Sequence, residues 1–127
     1  MLELEKLVTK KTSVRQLRVA ELIKTIAAEI IVQRQIDAEV LVNNFITVSK
    51  VKISPDLHNA IIFVSIFKAE NVKQIIADLN KLAPRFRSII NKNIKLKFSP
   101  QVMFRYDDTM EYAAKVDDLL ASLKDEE

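Results

Sequence analysis

The sequence predicts an α+β fold, one small sheet with helices packed on a face. Three observations point there. Apolar residues recur at helical spacing in four separate stretches, and short β-branched or aromatic runs fall between them. The strongest of those runs flank a turn, which predicts a hairpin. No Ser/Gly/Pro-rich linker or internal repeat divides the 127 residues. One domain over 1–127 is therefore expected, with its core at about 13–107 and a C-terminal helix at about 109–123.

In chain order, Ser13 with Gln16 three residues on makes a capping box. Val19, Leu22, Ile23, Ile26 and Ile30 then share one face of a first helix over about 14–35. The following "QRQIDAEVLVNN" has neither glycine nor proline. Asn43-Asn44 is the expected break, since asparagine tolerates the left-handed conformation. "FITVSKVKIS" (45–54) reads as a strand whose parity changes: Ile46 and Val48 share one face, Val51 and Ile53 the other. Burying both sets on one face requires an extra residue near Ser49–Lys50, or else both faces are covered. "SPDLHN" is turn chemistry, and "AIIFVSIF" (60–67) is the partner strand.

Val72, Ile75, Ile76, Leu79 and Leu82 predict a second helix at about 70–82. Pro84 ends it by disfavouring helical geometry at Ala83, and proline suits the first position of a new helix. Phe86, Ile89, Ile90 and Ile94 resume the stripe, so the expectation is helix, kink, helix. "SPQVMFRYD" supplies a third strand at about 101–107. The last helix has Thr109 or Asp108 as cap and an apolar face of Met110, Ala113, Val116, Leu119 and Leu120, which is expected to pack on the domain.

Composition removes several function classes. Without cysteine there is no disulfide, thiolate catalysis or cysteine-bound zinc, and without glycine there is no glycine-rich phosphate loop. No apolar run approaches the roughly 20 residues that cross a bilayer. "MLELEKLVTKK" does not read as a signal peptide, so a cytoplasmic protein is expected. His58 is a lone histidine in a polar turn, and Ser13, Ser88 and Ser99 have no base in a motif. Asp107, Asp108 and Glu111 suit the start of the last helix better than a metal ion. No enzyme, cofactor or metal is expected. Of Phe45, Phe63, Phe67, Phe98, Phe104 and Tyr106, most are expected in the core, with one or two free to stack on bases.

The net charge of +3 conceals an asymmetry. Residues 1–106 hold 18 Lys/Arg against 9 Asp/Glu, and residues 107–127 hold 2 against 8. No acid interrupts the sequence between Asp78 and Asp107, a stretch that carries seven cations. On a helical projection from Phe86, Arg85, Ser88, Lys92 and Lys95 fall opposite the apolar side, with Arg87 and Asn91 on a flank. Cations, a hydroxyl and the amides of a helix start suit phosphates.

Three stretches, "RQLRVAELIKTIAAEII", "VSKVKISPDLHNAIIFVSIF" and "LNKLAPRFRSIINKNIKLKFSPQVMFRYDDTMEYAAKVDDLL", resemble ribosome-binding factor A in order and spacing, over about 13–120. The resemblance implies a type II KH-like fold, α–β–β–α–kink–α–β, with the short C-terminal helix added. It implies an RNA-binding factor that helps the small ribosomal subunit mature, is linked to cold adaptation and leaves before translation. The implied partners are the small ribosomal subunit and its ribosomal RNA, for a protein expected to be monomeric. The RNA-binding residues expected are Arg15, Arg18, Arg85, Arg87, Ser88, Lys92, Lys95 and Lys97. The family's kink usually reads Ala-x-Gly; here it is Ala83, Pro84 and Arg85. Arginine would reach the phosphate that glycine would approach. A generic KH-like module for single-stranded RNA and a protein–protein adaptor using the acidic tail are the alternatives.

Overall fold

The computed structural model describes residues 12–125, with the side chains of 110–114 and 124–125 outside the description. Its elements are α1 (Val14–Val32), a single turn α2 (Glu39–Val42), β1 (Ile46–Ile53), β2 (Asn59–Ile66), α3 (Val72–Lys81), α4 (Ala83–Asn93), β3 (Gln101–Tyr106) and α5 (Thr109–Asp125). The sheet order is β1-β2-β3. β1 and β2 form an antiparallel hairpin, and β3 lies parallel to β2. A parallel neighbour requires a crossover, which α3 and α4 provide. α1, α3 and α4 pack on one face of the sheet.

α1 starts at the expected capping box. Ser13 Oγ accepts from Gln16 N at 3.1 Å, and Gln16 Oε1 accepts from Ser13 N at 2.9 Å. Gln16 does more than cap. Its buried Nε2 donates to Ile53 O at 3.2 Å and ties the helix start to the end of β1. The inward face is Val19, Ala20, Ile23, Ala27 and Ile30, whereas Leu22, expected on it, stands exposed. The helix stops at Val32, ahead of Asn43-Asn44, and the left-handed residue is Arg34 with φ 51°. Arg34 N donates to Ile31 O and Gln35 N to Ile30 O. That is a Schellman closure with arginine where glycine is usual. Asn43 has ordinary right-handed geometry at the end of α2.

The parity change in β1 is a bulge. Pairing passes from Val48↔Val64 to Lys50↔Phe63, leaving Ser49 as the extra residue. Ile46, Val48, Val51 and Ile53 thereby all turn toward the helices. Ala60, Ile62, Val64 and Ile66 of β2 and Phe104 of β3 complete that layer. Phe86 of α4 meets Phe104 edge to face, with ring centroids 4.9 Å apart.

α3 and α4 are separated by one residue. Leu82, at φ −88° and ψ −6°, ends α3 and begins α4, and Pro84 lies in the first turn of α4. The break therefore falls one residue ahead of Ala83-Pro84-Arg85. Ala83 remains helical because Leu82 absorbs the change of direction. α5 corrects a second expectation. Leu119 and Leu120 are 64 % and 55 % exposed and Val116 is half-buried, so these residues form no docked face. Periodicity specifies an apolar side but not whether anything covers it. Met110 and Ala113, assigned to that face, lie outside the described side chains. No helix among the described residues is long and apolar enough to cross a membrane.

Candidate nucleic-acid interface

The fold sorts the expected contact residues into groups. Arg85, Ser88 and Lys92 lie along one exposed line of α4, at spacings of three and four. Ala83, Phe86 and Ile90 are buried on its other side. The line exists because the apolar stripe is fixed against β3, which leaves these positions to solvent. Lys81 is paired with Asp78 at 3.7 Å, but Arg85 and Lys92 contact no carboxylate among the described residues.

Lys95 is not on the helix. α4 ends at Asn93, and Ile94 is already extended at φ −124° and ψ 122°. Lys95 and Lys97 are exposed in the 94–100 segment that leads to β3. Lys97 joins Arg15 in a cleft of about 190 Å³ between the start of α1, the β1–β2 turn and that segment. Phe98 forms another wall, and its ring lies 4.7 Å from that of His58. Asp56 is the acid in this cleft. It accepts from Ser54 Oγ at 2.6 Å and from His58 N at 3.0 Å, bonds that lower its pKa below the ordinary value. Arg18, one turn after Arg15, borders instead a shallow apolar hollow with Val14, Leu17 and Leu22.

Arg87 has a different occupation. Its Nε donates to Ser99 Oγ at 2.7 Å and its Nη2 to Ser99 O at 2.9 Å. Asn91 Nδ2 bonds the same hydroxyl. The fork thus fastens the 94–100 segment to α4 and presents Lys95 and Lys97 rather than joining them. The start of α4 also offers little to an anion. Pro84 has no amide hydrogen, and Arg85 N donates to Leu82 O at 2.9 Å. The groups on this face that would attract an anion are therefore its cationic side chains.

Two long-range pairings carry the arrangement, and neither has a local signal in the sequence. Asn80 Oδ1 accepts from Phe104 N at 2.8 Å, and its Nδ2 donates to Phe104 O at 3.1 Å. It pairs with the outer edge of β3 as a neighbouring strand would, two residues before the kink. Ser49, the bulge residue, donates to Asp107 Oδ2 at 2.6 Å, and Asp107 Oδ1 accepts from Thr109 N at 3.0 Å. Those bonds, with Lys50 nearby, lower the Asp107 pKa to about 2. Asp107 rather than Asp108 therefore satisfies the first amide of α5. The bulge was legible, but a partner 58 residues away has no local signal.

The family profile of ribosome-binding factor A matches residues 15–120. A ribosome-binding factor A from Methylocella silvestris is 38 % identical over 112 residues, covering 88 % of this chain and 72 % of its own. A Thermotoga maritima protein solved by NMR superposes with a TM-score of 0.62 at 26 % identity, over 75 % of this chain and 89 % of that one. Coordinates of Thermus thermophilus ribosome-binding factor A, fitted into a cryo-EM map of its complex with the 30S subunit, superpose with a TM-score of 0.53 at 19 % identity. They cover 68 % of this chain and 88 % of that one. The α–β–β–α–kink–α–β arrangement is the KH-like one of these structures. With the sequence match spanning α1 to α5, the chain belongs to the ribosome-binding factor A family.

Proposed function

We propose that this protein is a non-enzymatic assembly factor. It binds ribosomal RNA of the immature small subunit and leaves before translation. The observation that carries the reading is the exposed, acid-free line Arg85–Ser88–Lys92, continued by Lys95 and Lys97. Cations that no carboxylate among the described residues pairs are free to displace the counterions of a phosphate backbone. Arg15 extends the surface across the cleft it shares with Lys97. The 30S complex of the Thermus relative supports the subunit as the partner. Family membership supports a role in RNA maturation during cold adaptation, and the proposal takes the protein as a cytoplasmic monomer.

The test is sedimentation with small subunits. The protein is expected to co-sediment with immature small subunits in low salt, to prefer them to mature ones, and to be released as salt rises. Absence from the subunit fraction at low salt would refute the reading. A second reading, an adaptor for a protein partner, draws on exposed Leu119, Leu120 and Leu123 of α5. Association that survives nuclease removal of the RNA would favour it.

A further inference from the structure

The helices cover one face of the sheet, and no described element covers the other. Two exposed aromatic side chains stand at the open end of the hairpin. Phe45 and Phe67 are 80 % and 69 % exposed. They stand opposite one another where the hairpin ends, with Phe67 N donating to Phe45 O at 3.0 Å. Ile46 and Ile66, their neighbours in sequence, are paired and buried, so strand alternation turns the two phenylalanines outward. Farther along the same face, one row crosses all three strands as Lys50, Phe63 and Arg105. Lys50 Nζ lies 4.9 Å and Lys52 Nζ 5.8 Å from the Phe63 ring centroid, and Lys68 Nζ lies 5.4 Å from that of Phe67.

No outward-facing position of the three strands is acidic. The carboxylate at the border, Asp107, is engaged by Ser49 Oγ and the Thr109 amide. Exposed aromatic rings flanked by cations match the two parts of a single-stranded nucleic acid, flat bases and a phosphate chain. A second copy of this chain fits less well, because face-to-face docking would bring Lys50, Lys52, Lys68 and Arg105 against their own counterparts.

We propose that the open sheet face is a second RNA surface: bases of an unpaired segment stack on Phe45 and Phe67, and Lys50, Lys52, Lys68 and Arg105 hold its phosphates. The inference rests on the RNA-binding reading above and adds a separate surface, on the far side of the sheet from α4. It makes the molecule able to hold a single strand and the subunit at the same time.

The experiment titrates the full chain with a short fluorescent oligouridine carrying 5-iodouridine. Both phenylalanines are exposed, so the double variant F45A/F67A is expected to fold normally, which circular dichroism checks. Its oligouridine affinity should fall by about tenfold or more. Photo-crosslinks in the unsubstituted protein should map to the peptides that hold Phe45 and Phe67. Equal affinity in the two proteins, no oligouridine binding at all, or a self-association that F45A/F67A abolishes would each overturn the proposal. Small-subunit sedimentation is read separately. If it holds while the oligouridine arm fails, only the sheet surface is refuted.

Discussion

Asn80 shows how much a single side chain can decide. Its amide pairs with both backbone groups of Phe104 and so closes the exposed edge of β3 while fixing the end of α3. Asn80→Ala leaves two ladder-edge groups without that partner and should cost about 1–3 kcal/mol in urea unfolding. Asp107 gives a pH signature. Its pKa in the folded protein is about 2, below the ordinary 3.8, so the ionised form is favoured by folding. The contribution is fully present above that ordinary value and is lost as pH falls through about 2. The urea midpoint should therefore drop between about pH 5 and pH 2 by less in Asp107→Asn or Ser49→Ala than in the unsubstituted protein. At this scale the sequence was least legible. Arg34, Leu57 and Lys68 take positive φ in a chain without glycine, and nothing in their residue types announces it. Arg87 looked like one more cation in a basic run. A charge count cannot see that Ser99 lies within reach of its fork.

Among the elements, those whose pattern is forced by burial were read correctly, and those left to solvent were not. The Ser49 bulge was legible because Ile46, Val48, Val51 and Ile53 cannot share a face without it. The capping box was legible because both partners lie within four residues. Lys95 was placed on α4 because Ile94 continues the apolar spacing, although the helix has already ended at Asn93. The break lies at Leu82, one residue ahead of Ala83-Pro84-Arg85, with Asn80 bonded to Phe104 two residues before it. Pro84→Ala should lower stability by only about 0.4–1 kcal/mol, mostly by freeing the unfolded chain. Hydrogen exchange should still show the break at Leu82. For α5, the Leu119→Ser/Leu120→Ser double variant should change unfolding free energy by no more than about 0.5 kcal/mol per site, because neither side chain is covered. A loss of several degrees in Tm would mean that the helix docks on the domain after all.

For the whole molecule, the charge asymmetry becomes spatial. The helices bury their apolar sides against one sheet, which leaves Arg85, Lys92, Lys95 and Lys97 exposed, while eight of the seventeen acids fall in residues 107–127. The fold class and the hairpin followed from patterning, whereas the division of the cations into α4, the 94–100 segment and the Arg15 cleft required the tertiary structure. The central claim is that unpaired cations on α4 are the contact with small-subunit RNA. Its most direct measurement is the affinity of the protein for immature small subunits across a salt series, with and without Arg85→Glu and Lys92→Glu together. Both side chains are exposed, so the fold should survive. The account predicts binding at least about tenfold weaker at fixed salt, and a log–log salt slope shallower by roughly 2 because two phosphate contacts are gone. Unchanged affinity and slope in the double variant would contradict it.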